Sequence, residues 1–289
     1  MMSCKLNPHI LEYIELVENG IACEEQKALA AHVRKCFETE EIYVDTEQLE
    51  KYLGLAKYFS FEKLFPWEEF LIALWDCTYW KSNNRPRWKI VFAMVGRGAG
   101  KDGFIAFDGA CSPYNPVKYY NVDVCANNEE QAKRPQLDLV DVLENPKWEK
   151  KLSRHYYHTK EVIQGRKNKG VMKGHTNNPK GRDGLRSGKV IFNEVHQYEN
   201  YDNIKVFTTG QGKVAQPRRG YFTSNGDISD GPLDDYLARG RRILFEGEED
   251  NGFLPFICCL NDKAQVHHPE NWQMANPAIS SGALCRGGG

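Results

Sequence analysis

The stretch that most restricts how this chain can fold is Val95-Gly96-Arg97-Gly98-Ala99-Gly100-Lys101-Asp102-Gly103, where four glycines and a lysine separate the apolar runs KIVFAM and FIAF. Glycine lets successive backbone N–H groups turn toward one point, and a lysine at the mouth of a following helix adds positive charge there. The stretch therefore reads as a phosphate cradle. A glycine-rich surface turn is the other reading, because the strict pattern G-x-x-x-x-G-K-[ST] is not met: Val95 stands at its first glycine and Asp102 at its Ser/Thr.

A cradle that takes a nucleotide with magnesium needs an acidic partner at the tip of a neighbouring strand. Val190-Ile191-Phe192-Asn193-Glu194, roughly ninety residues downstream, is an apolar run ending in an amide and a carboxylate. Open α/β sheets place ligands at the carboxyl ends of their strands, where a glutamate can orient a water against a γ-phosphate. A third run, Tyr221-Phe222-Thr223-Ser224-Asn225-Gly226-Asp227, ends in small hydroxyl and amide groups. Such groups can register whether a γ-phosphate is present, and they also suit a plain strand-to-turn junction.

The rest of the chain supplies a frame for these three strand ends. KIVFAMV, YYNVDVCA, GKVIFNE and RGYFTSN are short β-rich runs, each followed by a glycine-rich turn or a helical pattern. That alternation predicts the α/β class, with a mostly parallel central sheet flanked by helices. Ahead of it, Ile10, Leu11, Ile14 and Val17 share a helical face, residues 24–37 form another, and Thr46 to Phe59 a third with Asp45 as a candidate cap. The expected division is a helical segment over 1–60, the α/β domain over 61–280 and an unstructured tail over 281–289. In FPWEEFLIALWDCTYW, Pro66 suits a first helical turn, and Trp67, Phe70, Leu71, Leu74 and Trp75 fall on one face.

Composition removes several function classes. The formal net charge is -1, so any contact with a polyanion must be local. No basic start precedes an apolar core as in a signal peptide, and no run reaches the roughly 18 to 20 apolar residues of a membrane span. Nine cysteines are scattered without C-x-x-C pairs, which favours reduced thiols in a cytoplasm over a disulfide or zinc framework. His155, His158, His175, His267 and His268 have no partners at metal spacing. Gly165 to Lys189 is rich in glycine and basic residues without apolar periodicity and reads as a long loop. Its Arg166, Lys167, Lys169, Lys173, Lys180, Arg182, Arg186 and Lys189 can touch nucleic-acid phosphates without reading bases, or can simply be solvated.

From about Phe65 to Pro277 the order of elements resembles the ATPase domain of the large terminase subunit of tailed bacteriophages, the motor that packages DNA into proheads. The resemblance rests on FPWEEF before the first strand, VGRGAGK, ANNEEQA after the second strand, RDGLRSGKVIFNEVHQYEN, YFTSNG and the closing WQMANPA. It implies a P-loop NTPase-like fold and Mg2+-dependent ATP hydrolysis that drives translocation of double-stranded DNA, by a ring of subunits on a portal protein, with a small terminase subunit as partner. It also implies a place in the bacterial host's cytoplasm and not in the finished virion. By the same resemblance Gly96, Gly98, Ala99, Gly100, Lys101, Asp102 and Gly103 form the Walker A loop, with Lys101 on the β and γ phosphates and Arg97 as the loop arginine. Glu194 would be the catalytic carboxylate of the Walker B strand, Thr223, Ser224 and Asn225 the coupling motif, and Phe65, Pro66, Trp67 and Glu69 part of the adenine site.

This sequence departs from the family pattern where magnesium would bind: Asp102 replaces the usual Ser/Thr and Asn193 the usual acidic residue. The pair can be an exchange of roles, with Asp102 and Asn193 both holding the ion, or the mark of a catalytically weak nucleotide-binding scaffold in head assembly. The glutamine common in the adenine segment is Glu68 or Glu69 here. The family's C-terminal nuclease domain has no room after Ala275-Asn276-Pro277-Ala278, so no DNA cleavage is expected of this chain.

Overall fold

The computed structural model describes residues 6–176, 186–226 and 230–279. The N-terminal part supplies α1 (Pro8–Asn19), α2 (Glu24–Thr39), the short strand β1 (Ile42–Val44) and α3 (Thr46–Leu53). Asp45 caps α3 by accepting from the Gln48 amide at 2.9 Å, as the sequence predicts. Next come α4 (Pro66–Leu71), a π turn over Ile72–Asp76, and β2 (Thr78–Trp80), which pairs antiparallel with β1.

The remaining elements alternate: β3 (Ile90–Met94), α5 (Lys101–Cys111), β4 (Asn121–Ala126), α6 (Glu129–Leu143), α7 (Glu149–Leu152), β5 (Tyr156–His158), β6 (Ile163–Gly165) and β7 (Val171–Thr176). They continue with β8 (Ser187–Asn193), α8 (Asp202–Thr209), β9 (Arg218–Thr223), α9 (Pro232–Arg241) and β10 (Phe253–Ile257). Eight strands form one sheet in the order β10-β3-β9-β8-β4-β7-β6-β5. The six from β10 to β7 run parallel, and β6 and β5 close the edge antiparallel. The central strands are apolar on both faces because both are covered. Alternate residues go to opposite layers: Val91, Ala93, Val122, Val124, Ile191, Phe222 and Leu254 pack with α1 to α6. Phe92, Val190, Phe192, Tyr221 and Phe253 pack with Ile204 and Phe207 of α8 and Leu233 of α9. Among the described residues no helix is long and apolar enough to cross a membrane.

The reading of 165–189 as one loop is corrected by the structure. Gly165 ends β6, Val171–Thr176 is β7, and Ser187 to Lys189 open β8. The alternation is hidden because β7 is an inner strand that carries glycine and polar residues where α6 crowds it: a Cβ on Gly174 would lie 2.4 Å from the Ala132 carbonyl oxygen. Lys189 is buried and is no candidate for DNA contact.

Lys189 belongs to a buried charge cluster beneath the sheet. Its Nζ donates to Asp76 Oδ1 at 2.6 Å and to Asp108 Oδ1 of α5, and it lies 4.1 Å from the centroid of the Trp75 ring. Arg218 donates Nε to the Trp75 carbonyl at 2.8 Å and Nη2 to the Asp76 carbonyl at 2.9 Å. Taken as carboxylates, Asp76 and Asp108 each leave Oδ2 buried without a donor. Burial and the neighbouring Asp76 push the Asp108 carboxyl up to about 8 against the attraction of Lys189, so that a proton held between the two carboxyls supplies the missing donor. An unfolded aspartate loses its proton near pH ~4. Across the window from there to about 8 the folded chain therefore binds more protons than the unfolded chain, and stability falls as pH rises. Denaturant unfolding stepped from about pH 5 to 8 should show this decline, at most on the order of 1 kcal/mol per pH unit, and Asp108→Asn should flatten it. An unaltered slope in the variant would place the proton elsewhere.

Candidate nucleotide site

The glycine stretch joins the carboxyl end of β3 to the amino end of α5. Gly98 and Gly100 have φ of 78° and 93°, in the left-handed region that only glycine enters without strain, so these two glycines are required by the turn itself. Gly96 is required by proximity: its amide donates to the Ala275 carbonyl at 2.7 Å, and a Cβ there would stand 3.0 Å from that oxygen. Lys101, Asp102 and Gly103 form the first turn of α5, where amides have no partner inside the helix, and Ala99 is buried beneath the loop.

Four of the residues expected in the site meet here, in two pairs. Lys101 Nζ donates to Glu194 Oε1 at 2.7 Å, with both side chains largely shielded. Asn193, at the last position of β8, donates Nδ2 to Asp102 Oδ1 at 2.8 Å, while its own Oδ1 accepts from the Glu194 amide. Glu194 holds φ 54° and ψ 51°, a left-handed conformation that costs a residue with a side chain about 1–2 kcal/mol. Such strain persists where the surroundings impose it and is concentrated at working sites. Here it turns the glutamate off the strand axis toward the glycine loop.

A polar relay continues from Glu194 to the neighbouring strand end. Glu194 Oε2 lies 3.2 Å from His196 Nδ1, which lies 3.2 Å from Thr223 Oγ1. The His196 amide also donates to Thr223 Oγ1 at 3.0 Å, and that hydroxyl donates to the Ser224 carbonyl. Thr223 and Ser224 are buried, whereas Asn225 is exposed. His196 thus stands between the Thr223 strand end and Glu194, whose buried Oε2 it approaches without a hydrogen bond.

Arg97 is exposed at the loop, and its side chain makes no hydrogen bond or ion pair among the described residues; its carbonyl accepts from Asn276 Nδ2 at 3.2 Å. The residues that the resemblance assigns to an adenine site are placed unevenly. Phe65 borders the loop, with its ring 3.7 Å from where a Gly100 Cβ would be, and Glu68 Oε1 is 3.3 Å from the same point. Glu69 faces away and takes His9 Nδ1 at 2.7 Å, so of the two glutamates Glu68 adjoins the loop. Trp67 is committed to the core, 5.6 Å from Phe104 and 5.8 Å from Phe256 between ring centroids. Pro66 and Trp67 line a small cavity of about 100 Å³ together with Gln273, Met274 and Pro277.

A larger cavity, about 1150 Å³, opens at the amino ends of the strands, around Arg87, Lys89, Pro217 and Gly252. The glycine loop and Glu194 lie at the other, carboxyl ends, where the Lys101–Glu194 ion pair spans the space between them.

No protein-family model matches the sequence, and no curated protein matches it. Solved structures do. The chain is similar to the HK97 bacteriophage large terminase at 19% identity and a TM-score of 0.66, over 82% of this chain and 48% of that one, and so spans about half of that protein's length. The large terminase ATPase domain of Thermus phage P74-26 is matched at 14% identity and a TM-score of 0.49, over 75% of this chain and 99% of that one. With the glycine loop, Glu194 and Thr223 at the ends of parallel strands in one P-loop NTPase-like sheet, the chain shares the fold of the half of a phage large terminase that it matches.

Proposed function

We propose that this chain is a terminase-type ATPase, in which Lys101, Glu194 and Arg97 act on the terminal phosphate of ATP and the energy drives viral DNA into a prohead. The observation that carries the reading is the 2.7 Å contact between Lys101 and Glu194, at the amino end of a helix and beside a glycine loop. Amides of the loop and of the first turn of α5, with Lys101, would hold the β and γ phosphates. An arriving phosphate competes with Glu194 for the Lys101 ammonium. Freed from that cation, the Glu194 carboxylate can accept from a water, orient it and take its proton as general base. Arg97, without a partner of its own among the described residues, would reach the charge that develops on the transferred group.

Asp102 and Asn193 suit a small hard cation in donor chemistry, since both offer oxygens and already meet at the mouth of the loop. Magnesium, when bound, offsets charge on the β and γ phosphate oxygens. In this reading Asp102 brings the charged oxygen and Asn193, with its amide turned over, the neutral one. That Asn193 presents nitrogen and not oxygen to Asp102 favours a second reading, a nucleotide-binding scaffold with little turnover. Thr223, Ser224 and Asn225 would couple phosphate release to movement through His196. Double-stranded DNA, a portal protein, a small terminase subunit and a ring of copies are the partners proposed, in the host cytoplasm. The exposed Arg166, Lys167, Lys169, Lys173 and Arg186 remain for DNA phosphates. Lys180 and Arg182 lie outside the described residues.

Steady-state ATPase assays test the core of the proposal. Lys101→Ala should lose tight ATP binding and turnover with the fold kept, while Glu194→Gln should keep binding and lose about 10² to 10⁴ in rate. Normal turnover in either variant would remove the assignment. For Arg97→Ala the expected loss is on the order of 10³ to 10⁵.

The magnesium reading separates from the scaffold reading in a double variant. Asp102→Ser with Asn193→Asp should restore or exceed the parent's magnesium-dependent rate, with each single change impaired. If Asn193→Asp alone raises the rate and Asp102→Ser does nothing, the two residues do not share an ion. DNA binding should weaken with salt, and replacing Lys167, Lys169 and Lys173 by Gln should flatten the log–log slope by about 0.9 for each phosphate no longer neutralised. An unchanged slope would take these lysines off the DNA path.

A further inference from the structure

Two cysteines more than two hundred residues apart meet at the amino end of α2. Cys23 is the N-cap residue of that helix, and Cys259 lies two residues beyond the end of β10. The Sγ atoms of Cys23 and Cys259 and a carboxylate oxygen of Glu25 all lie within 4.8 Å of one another, with Cys259 Sγ 3.3 Å from Glu25 Oε2. Ligands about 2.3 Å from a tetrahedral ion stand roughly 3.8 Å apart, so the three atoms need only small adjustments to share one ion. We propose that Cys23, Cys259 and Glu25 form a binding site for a thiophilic divalent cation such as zinc, with one coordination position left to solvent.

The surroundings fit that chemistry. Arg241 donates Nε and Nη2 to Glu25 Oε1, at 3.0 and 2.8 Å, which leaves Oε2 facing the thiols and gives the carboxylate the outer partner that metal-binding carboxylates usually have. Two thiolates and a carboxylate carry three negative charges; a divalent cation and the Arg241 guanidinium together offset all three. Cys23 stands at the N-cap of α2, where the helix amides favour a thiolate. Burial raises the Glu25 carboxyl, but the hydrogen bonds from Arg241, from its own backbone amide and from Cys259, with the Arg241 charge, together bring it below its usual range. Cys259 is partly exposed and gives the ion a way in. Cys258 stands outside the group: it is buried against Tyr13. The ion would fasten α2 to the exit of β10, a junction already tied by Gln26 Nε2 to the Ile257 carbonyl and by the Glu24 amide to Asn261 Oδ1.

The site is independent of ATP hydrolysis, and its test is cobalt(II) titration of the reduced, chelator-treated full chain, followed by absorption. One equivalent should bind with thiolate-to-cobalt charge-transfer bands, and zinc should displace it. Cys23→Ser and Cys259→Ser should each weaken binding by well over tenfold, Arg241→Gln by about 10- to 100-fold, and Glu25→Gln should weaken it with the thiolate bands retained. Cys36→Ser, at the separate His32–Cys36–Asp250 cluster, should leave the titration unchanged. Absence of charge-transfer bands in the parent chain, bands indifferent to Cys23→Ser and Cys259→Ser, or bands lost in Cys36→Ser would each overturn the assignment.

Discussion

The placement of the site depends on the buried ammonium of Lys189. One lysine on β8 binds Asp108 on α5 and Asp76 on the turn after α4, and so fixes how the helix lies along the strand. Lys101 opens that same helix, and Asn193 and Glu194 close the same strand. The cluster beneath the sheet thus sets the offset between helix and strand that brings Lys101 to Glu194 and Asp102 to Asn193 at the other end. A buried charge cluster is weak evidence for net stability, because desolvation offsets much of the attraction. What it adds here is directional contact: the Lys189 ammonium meets Asp76 and Asp108 at particular atoms, where apolar packing would set no such register. Arg218 extends the constraint to β9 by filling the carbonyls of Trp75 and Asp76.

The strand order places the Thr223 strand end directly beside both halves of the candidate site. β9 lies between the glycine-loop strand β3 and the Glu194 strand β8. Thr223 on that intervening strand is contacted by both the His196 amide and the His196 ring. His196 has little freedom to turn aside: a Cβ on Gly226 would be 2.4 Å from the His196 Cβ, so glycine is needed there to let the chain pass. The relay from Lys101 through Glu194 and His196 to Thr223 consists of contacts no longer than 3.2 Å.

Much of this was legible in the sequence, for identifiable reasons. Strands buried on both faces are continuous apolar runs, so β3, β4, β8 and β9 stand out, and so do the polar residues that end them. What sequence missed is where another constraint outweighed periodicity. β7 carries Gly174 because α6 crosses too close for a side chain, and β8 begins with a lysine that reads as a loop residue until Asp76 and Asp108 are seen around it. The glutamate of the adenine segment shows a different limit. Glu68 and Glu69 are equivalent by composition, and only the hydrogen bonds, Glu68 to the Phe65 amide and Glu69 to His9, separate them. Cys23 and Cys259 escape any local pattern because nothing in a one-dimensional spacing brings them together.

The glycine loop itself combines restraint with openness. On one side Glu68 and Phe65 border Gly100, and on the other the segment after β10 reaches across, with the Ala275 carbonyl taking the Gly96 amide and Asn276 holding the Arg97 carbonyl. Both ends of the loop are therefore held by parts of the chain far away in sequence. Between them, nothing lies within 4 Å of where a Gly98 Cβ would be. A loop free throughout would have to lose its conformational freedom when a phosphate arrives, at a cost of about 1–2 kcal/mol for each residue ordered. A loop fixed at its base and bare at its tip has lost most of that freedom in folding, which, under the proposed function, would leave the attraction between amides and phosphate to appear as affinity.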